Sequence, residues 1–150
     1  MAGGVKRRTL EDLLADAGDR IARLSPADAH AAVQESALLI DIRSAGDRER
    51  DGIVPGSLHI PRTVLEWRTD LDSPWRNPHV GGLDQQIILL CDHGCSTILA
   101  AATLTDLGFT RAGDVIGGFA AWRDAGLPTG RAPQRRRASG ELAGMSAPDR

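Results

Sequence analysis

The sequence predicts an α/β domain built on a mostly parallel central sheet, and three observations carry that expectation. Short apolar runs of the kind that form strands buried on both faces alternate with helical patterns from Leu38 onward. The chain has 150 residues, enough for one core with short extensions but not for two. Apolar residues make up 41% and charged residues 25%, a globular balance that excludes a fibrous or wholly disordered chain.

Thr9 is placed to cap a first helix with Leu10, Leu13, Leu14 and Ala17 on one face, inside an N-terminal helical extension over residues 1–24. Ser25-Pro26-Ala27-Asp28 begins a second helix, to about Glu35, because Ser caps, Pro fits the first helical position and Asp favours the first turn. Ala37-Leu-Leu-Ile-Asp-Ile42 reads as a buried strand, and Ser44 to Gly52 as a polar loop. A turn at Val54–Ser57 leads to a brief strand, Leu58-His-Ile-Pro61. Residues 63–67 look helical, and the prolines and glycines of 72–82 mark a surface loop. Gln86-Ile-Ile-Leu-Leu-Cys91 is the strongest strand, and the Ala-rich run from Thr97 to Leu107 is a helix closed by Gly108. Asp114-Val-Ile116 is a further strand, Gly117-Gly118 a turn, and Phe119 to Ala125 a last helix, completing a domain over 25–130. The tail, 131–150, sets five Arg against Glu141 and Asp149 with little to bury, so disorder is expected there.

Composition excludes several functions. A formal net charge of −2 supplies no field for nucleic acid, and with 3% aromatics and no Tyr there are no base-stacking platforms. The longest apolar runs fall far short of the roughly 18 residues that span a bilayer. Lys6-Arg7-Arg8 is followed by Glu11 and Asp12 where a signal peptide needs apolar residues, so a cytoplasmic protein with no membrane partner is expected. Cys91 and Cys95 are too few and too close for a disulfide framework and read as free thiols.

Chemistry concentrates where Cys91 ends a buried strand and Asp92-His93-Gly94-Cys95-Ser96 leads straight into a helix. Ligands of open α/β sheets bind at this edge. A tight loop feeding a helix N-terminus aims backbone N–H groups and partial positive charge at one point, which favours a thiolate or another anion. Position alone leaves Cys91 open between a nucleophile and an ordinary buried thiol.

Four segments together resemble the rhodanese-like domains, a family of sulfurtransferases and inactive relatives. They are Leu39-Ile-Asp-Ile-Arg43, Gly52-Ile-Val-Pro-Gly-Ser-Leu-His-Ile-Pro61, the loop Cys91-Asp-His-Gly-Cys-Ser96, and Gly117-Gly-Phe-Ala-Ala-Trp122 followed by Gly126-Leu-Pro128. They occur in the family's order and spacing across Ser25 to Thr129. The resemblance implies a three-layer fold, with helices flanking the sheet, and a sulfurtransferase in which Cys91 takes sulfane sulfur from a small donor as a persulfide. An acceptor thiol, cyanide or protein removes it, with no metal or organic cofactor. Backbone N–H groups from His93 to Thr97 would hold the persulfide charge, with Gly94 as the loop glycine.

The resemblance also assigns Arg43 to substrate binding or to bracing the loop, and leaves Asp41 a structural partner. Ser96 stands where many single-domain members carry Arg, which disfavours a dianionic donor such as thiosulfate; it is also a candidate cap of the following helix. Asp92 beside the nucleophile opposes thiolate formation unless it points to solvent. His93 is either a proton-transfer aid or an exposed loop residue. Cys95 reads more readily as a small residue packed under the loop than as a resolving thiol. Arg62 and Arg68 read as a solvated face, and Trp67, Trp75 and Trp122 as core or rim packing.

Two alternatives come from other classes. A phosphatase or arsenate reductase needs Arg six positions after its cysteine to clamp the oxyanion, and that position is Thr97. A catalytically weak rhodanese module used for binding or redox and sulfide sensing is the stronger rival, though retention of Cys91 speaks against a fully inactive version.

Overall fold

The computed structural model describes residues 4–133. Helix α1 (Leu10–Asp19) opens on a capping box in which the Thr9 side chain accepts from the Asp12 N–H and the Asp12 carboxylate accepts from the Thr9 N–H. Strand β1 (Ala22–Leu24) follows at once. Helix α2 (Pro26–Gln34) is capped by Ser25, as its sequence leads one to expect, and β2 (Leu38–Asp41) comes next. Helix α3 (Ala45–Asp51) occupies the stretch read above as a polar loop; Ser44 caps it, and its largely charged sequence carries no apolar periodicity to announce it. After β3 (Leu58–His59), a 3-10 turn at Arg62–Val64 runs into α4 (Leu65–Thr69). Strand β4 (Ile87–Leu90), helix α5 (Ser96–Asp106), strand β5 (Ala112–Val115) and helix α6 (Gly118–Asp124) complete the order.

The five strands form one sheet in the order β1-β5-β4-β2-β3, and every pairing in it is parallel. All the strand ends that carry chemistry therefore lie on one edge. Asp41 is in register with Leu90, so Arg43 and Cys91 leave neighbouring strands side by side. Strand β1 lies within the N-terminal extension, so that segment contributes a sheet edge as well as a helix. Three residues are too few for periodicity to register.

Alternation along β2 and β4 sends side chains into two cores. Ile40, Ile42, Ile87, Leu89 and Cys91 pack against Leu65 of α4 and Ala100, Ala101 and Leu104 of α5. Leu39, Ile88 and Leu90 pack with Val115 against Ala29 of α2 and Phe119 and Trp122 of α6. Helices thus cover both faces, a three-layer arrangement, and each fully buried Ile or Leu contributes about 1.5–3 kcal/mol. Trp122 is fully buried, and its indole N–H donates to the Pro128 carbonyl at 2.8 Å. Paired hydrogen bonds between Ile53 and Gly130 pin the end of the domain beside α3. Among the described residues no helix is long and apolar enough to cross a membrane. Of the Arg-rich tail expected to be disordered, residues 134–150 lie outside the described residues.

Candidate active site

Strand β4 delivers Cys91 to the carboxyl edge of the sheet, and the next five residues curl into the start of α5. The loop is tight because Gly94 adopts φ +79, a left-handed conformation that glycine takes without strain. A Cβ there would also lie 2.6 Å from the Gly117 nitrogen, so only glycine fits. From the other side, the start of α6 holds the loop: the Phe119 N–H donates to the Cys91 carbonyl at 2.7 Å and the Ala120 N–H to that of Asp92 at 3.0 Å.

Cys91 is buried at 6% exposure and lines a cleft of about 360 Å³ together with Arg43, Asp92, His93, Cys95 and Ser96. The Gly94 N–H donates to Cys91 Sγ at 3.2 Å, and Thr97 Oγ1 lies 3.5 Å from the same sulfur. Burial is the largest single influence on the thiol and pushes its pKa up. Hydrogen bonds from the Ser96 and Thr97 side chains and from the Thr97 and Gly94 backbones together outweigh it, so the net direction is down. An ordinary core thiol would show the burial effect alone. Of the N–H groups expected to serve the sulfur, those of Gly94 and Thr97 are the ones that act on it.

The remaining residues singled out in the sequence divide. Ser96 is the first residue of α5 and exposed; the cap position belongs to Cys95, whose side chain makes no capping bond. Cys95 is exposed in the cleft, which corrects its reading as a residue packed under the loop: Gly94 and Thr97 point inward, and Cys95 between them faces out. His93 is exposed on the same rim. Asp92 neither points wholly to solvent nor contacts the sulfur, since its carboxylate lies 3.8 Å from Arg43 Nη1. Burial is the main cause that raises the Asp92 pKa, with Asp47 adding to it and Arg43 opposing.

Arg43 reaches the cleft but is committed to structure. It grips Asp41 with Nε at 3.0 Å and Nη2 at 2.7 Å, donates to the Gly52 carbonyl at 2.9 Å, and stacks 4.3 Å from the Phe119 ring centre. Asp41, fully buried, also takes Arg48 at 3.2 Å, so one carboxylate ties β2 to α3, the cleft's outer wall. Nη1 of Arg43 is buried without a hydrogen bond and faces the Asp92 carboxylate at 3.8 Å. Arg62 and Arg68 serve elsewhere, on Glu66 and on the Trp75 carbonyl.

Two residues of the site escaped the sequence reading. Asp114, fully buried on β5, accepts the Thr97 hydroxyl at 2.7 Å, and Arg23 on β1 grips the same carboxylate at 2.9 and 3.0 Å. Arg23 also donates to the Gly94 carbonyl at 3.0 Å. A charged residue inside an otherwise small and apolar strand was the available signal for Asp114; Arg23 gave none.

Comparison with known proteins agrees with this architecture. The model of the rhodanese-like domain family matches residues 25–125. A thiosulfate sulfurtransferase GlpE from Pseudomonas savastanoi pv. phaseolicola is 31% identical over 102 residues, 67% of this chain and 86% of that protein. The GlpE of Vibrio cholerae is 44% identical over 95 residues, 63% of this chain and 80% of its own length. Among solved structures, a protein of unknown function from Rhodopseudomonas palustris, described as a possible tyrosine phosphatase, superposes with a TM-score of 0.76 at 34% identity, covering 86% of this chain and 99% of that one. The polysulfide-sulfur transferase homodimer of Wolinella succinogenes gives 0.64 at 25% identity, over 83% and 90%. Parallel sheet, flanking helices, loop and relatives agree, and the chain belongs to the rhodanese-like domain family as a sulfurtransferase enzyme.

Proposed function

We propose that Cys91 attacks the transferable sulfur of a small donor and carries that sulfur as a persulfide to an acceptor nucleophile, in the cytoplasm. The bond from that sulfur to the rest of the donor breaks, and its electron pair leaves with sulfite from the S–S bond of thiosulfate or with the pyruvate enolate from the C–S bond of mercaptopyruvate. The acceptor then attacks the outer sulfur of the persulfide and returns the Cys91 thiolate, so no net redox partner is consumed. The observation that supports this most directly is the thiol itself, buried in a cleft with its pKa lowered by hydrogen bonds converging on Sγ. Relatives named thiosulfate sulfurtransferases point to a donor of that class. The wall of this cleft carries Asp47 and Asp92, and Ser96 offers no fixed cation, so a monoanionic donor such as mercaptopyruvate suits it better than a dianion. Asp92, His93, Cys95 and Ser96 would bound the donor with Arg43 in the cleft wall, while Gly94 and Thr97 meet the sulfur from the buried side.

Phosphate-ester hydrolysis fits poorly, because Thr97, at the position a clamping Arg would need, is fully buried and bonded to Asp114. Incubation with thiosulfate or mercaptopyruvate followed by intact and peptide mass tests the reading. One added sulfur on Cys91, lost on treatment with an acceptor thiol, is expected. Sulfur on Cys95 alone, or undiminished transfer by Cys91→Ser, overturns it.

A further inference from the structure

The Thr97 hydroxyl has one hydrogen and two claimants. Its oxygen lies 2.7 Å from Asp114 Oδ2 and 3.5 Å from Cys91 Sγ. The carboxylate is charged and near, so it takes the hydrogen, and the oxygen then presents lone pairs to the sulfur. A thiol can donate to those lone pairs. A thiolate or persulfide anion cannot, and gains stabilisation from this hydroxyl only when the hydroxyl turns its hydrogen to sulfur. Asp114 tolerates losing that donor because Arg23 still holds it through both oxygens.

We propose that Asp114, clamped by Arg23, is a positioning residue that competes with Cys91 for the Thr97 hydroxyl hydrogen, making Thr97 a two-position donor that turns from Asp114 to sulfur as the anion forms. The inference refines the persulfide reading above, and its consequence concerns the free thiol. In the resting enzyme Cys91 S–H donates to Thr97 Oγ1, which donates to Asp114. When the thiol proton leaves to solvent, the hydroxyl rotates about its C–O bond and no covalent bond changes. Asp114 thereby restrains the thiolate until the cleft supplies a reason to form it.

Other charged groups face this sulfur. Arg43 follows β2, Asp47 stands on α3, the loop carries Asp92, His93 and Cys95, and Arg23 lies beyond Asp114. Asp114→Asn also removes a buried charge near the sulfur and loosens the Arg23 clamp, but it does so in either Thr97 background, so a double-mutant cycle separates the hydroxyl from general electrostatics. Alkylation of Cys91 by iodoacetamide against pH, assigned by peptide mass, is measured for the unaltered 150-residue chain, Asp114→Asn, Thr97→Val, Thr97→Ser and the double variant Asp114→Asn/Thr97→Val. A carboxamide N–H can donate to Thr97 Oγ1 and free its hydrogen for sulfur. Asp114→Asn is therefore expected to move the profile to lower pH and raise the rate near neutrality by about three- to tenfold. Thr97→Val should move it to higher pH, and Thr97→Ser should restore it. In the Thr97→Val background Asp114→Asn should keep only the effect of the lost charge and move the profile clearly less.

An equal Asp114→Asn effect in both backgrounds, or none in either, overturns the proposal. If Asp114→Asn does not fold, the S–H stretching band of Cys91 in Cys95→Ser decides. A band lowered by donation to Thr97, and moving up in Thr97→Val, supports the arrangement; an unlowered band refutes it. Neither readout requires sulfur transfer, so failure of the persulfide assignment would show separately, in the mass experiment.

Discussion

Gly118 lies so close to Cys91 that a Cβ on it would sit 2.4 Å from the Cys91 carbonyl oxygen. It also holds φ +64, which an L side chain adopts with strain. The α6 N–H groups that hold the loop depend on that approach. Gly118→Ala is therefore expected to cost about 1–3 kcal/mol and to displace the loop. Urea unfolding and Cys91 alkylation on the same protein check this, and wild-type values in both would mean the loop has slack that the contact denies.

Asp92→Asn removes a negative charge from the cleft mouth and should move Cys91 alkylation to lower pH. Because Arg43 already faces the Asp92 carboxylate at 3.8 Å, the gain near neutrality should be modest, about twofold. Coincident profiles would mean that Arg43 shields the thiol from Asp92 completely.

Ser96→Arg places a guanidinium fork on the exposed first residue of α5, at the rim of the cleft. It should lower KM for thiosulfate more than for mercaptopyruvate, with the difference shrinking as salt rises. Since Ser96 does not occupy the cap position, little stability should be lost with it. Equal KM changes for the two donors would remove charge at this position as a selector.

His59 supplies a pH dependence of stability. Burial, its first cause, lowers its pKa from the ordinary 6.5, although the bond between Nε2 and the Arg43 carbonyl at 2.7 Å opposes the shift. The unfolded chain therefore takes up the proton first, and stability contributed by neutral His59 falls as pH drops below about 6.5, levelling once the folded value is passed. His59→Gln keeps a donor to Arg43 and should flatten the stability curve between about pH 7 and 5. Chemical denaturation across that range measures it; an unaltered slope would remove His59 as the source of the dependence.

The sheet, its flanking helices and the loop were legible in the sequence because they rest on continuous apolar strands, Ser and Thr caps and glycines at fixed offsets. Helix α3 was not, since Ala45–Asp51 is polar almost throughout and is held by the Arg48 to Asp41 pair, a tertiary contact that no local pattern records. Cys95 and Arg43 were placed at the right edge, yet orientation escaped: the curl at Gly94 decides that Cys95 faces out, and Asp41 decides that Arg43 is mostly spoken for. Asp114 and Arg23 are partners 91 positions apart, and their pairing follows from β1 lying beside β5. A single sequence does not encode that adjacency in any window.

The same pairing sets a timetable. Arg23 lies near the beginning of the chain, while the groups it fastens, the Gly94 carbonyl and the Asp114 carboxylate, come 71 and 91 residues later. Contacts of that span form late because a long loop must close before they can be made. On a ribosome, the strand bearing Arg23 waits unpaired until β5 has emerged, so the cysteine loop acquires its last restraint only when nearly the whole domain is present. A truncated or half-finished chain would expose a cysteine but lack the hydrogen bonds that lower its pKa, and the onset of Cys91 reactivity during refolding should coincide with docking of the first strand onto the last.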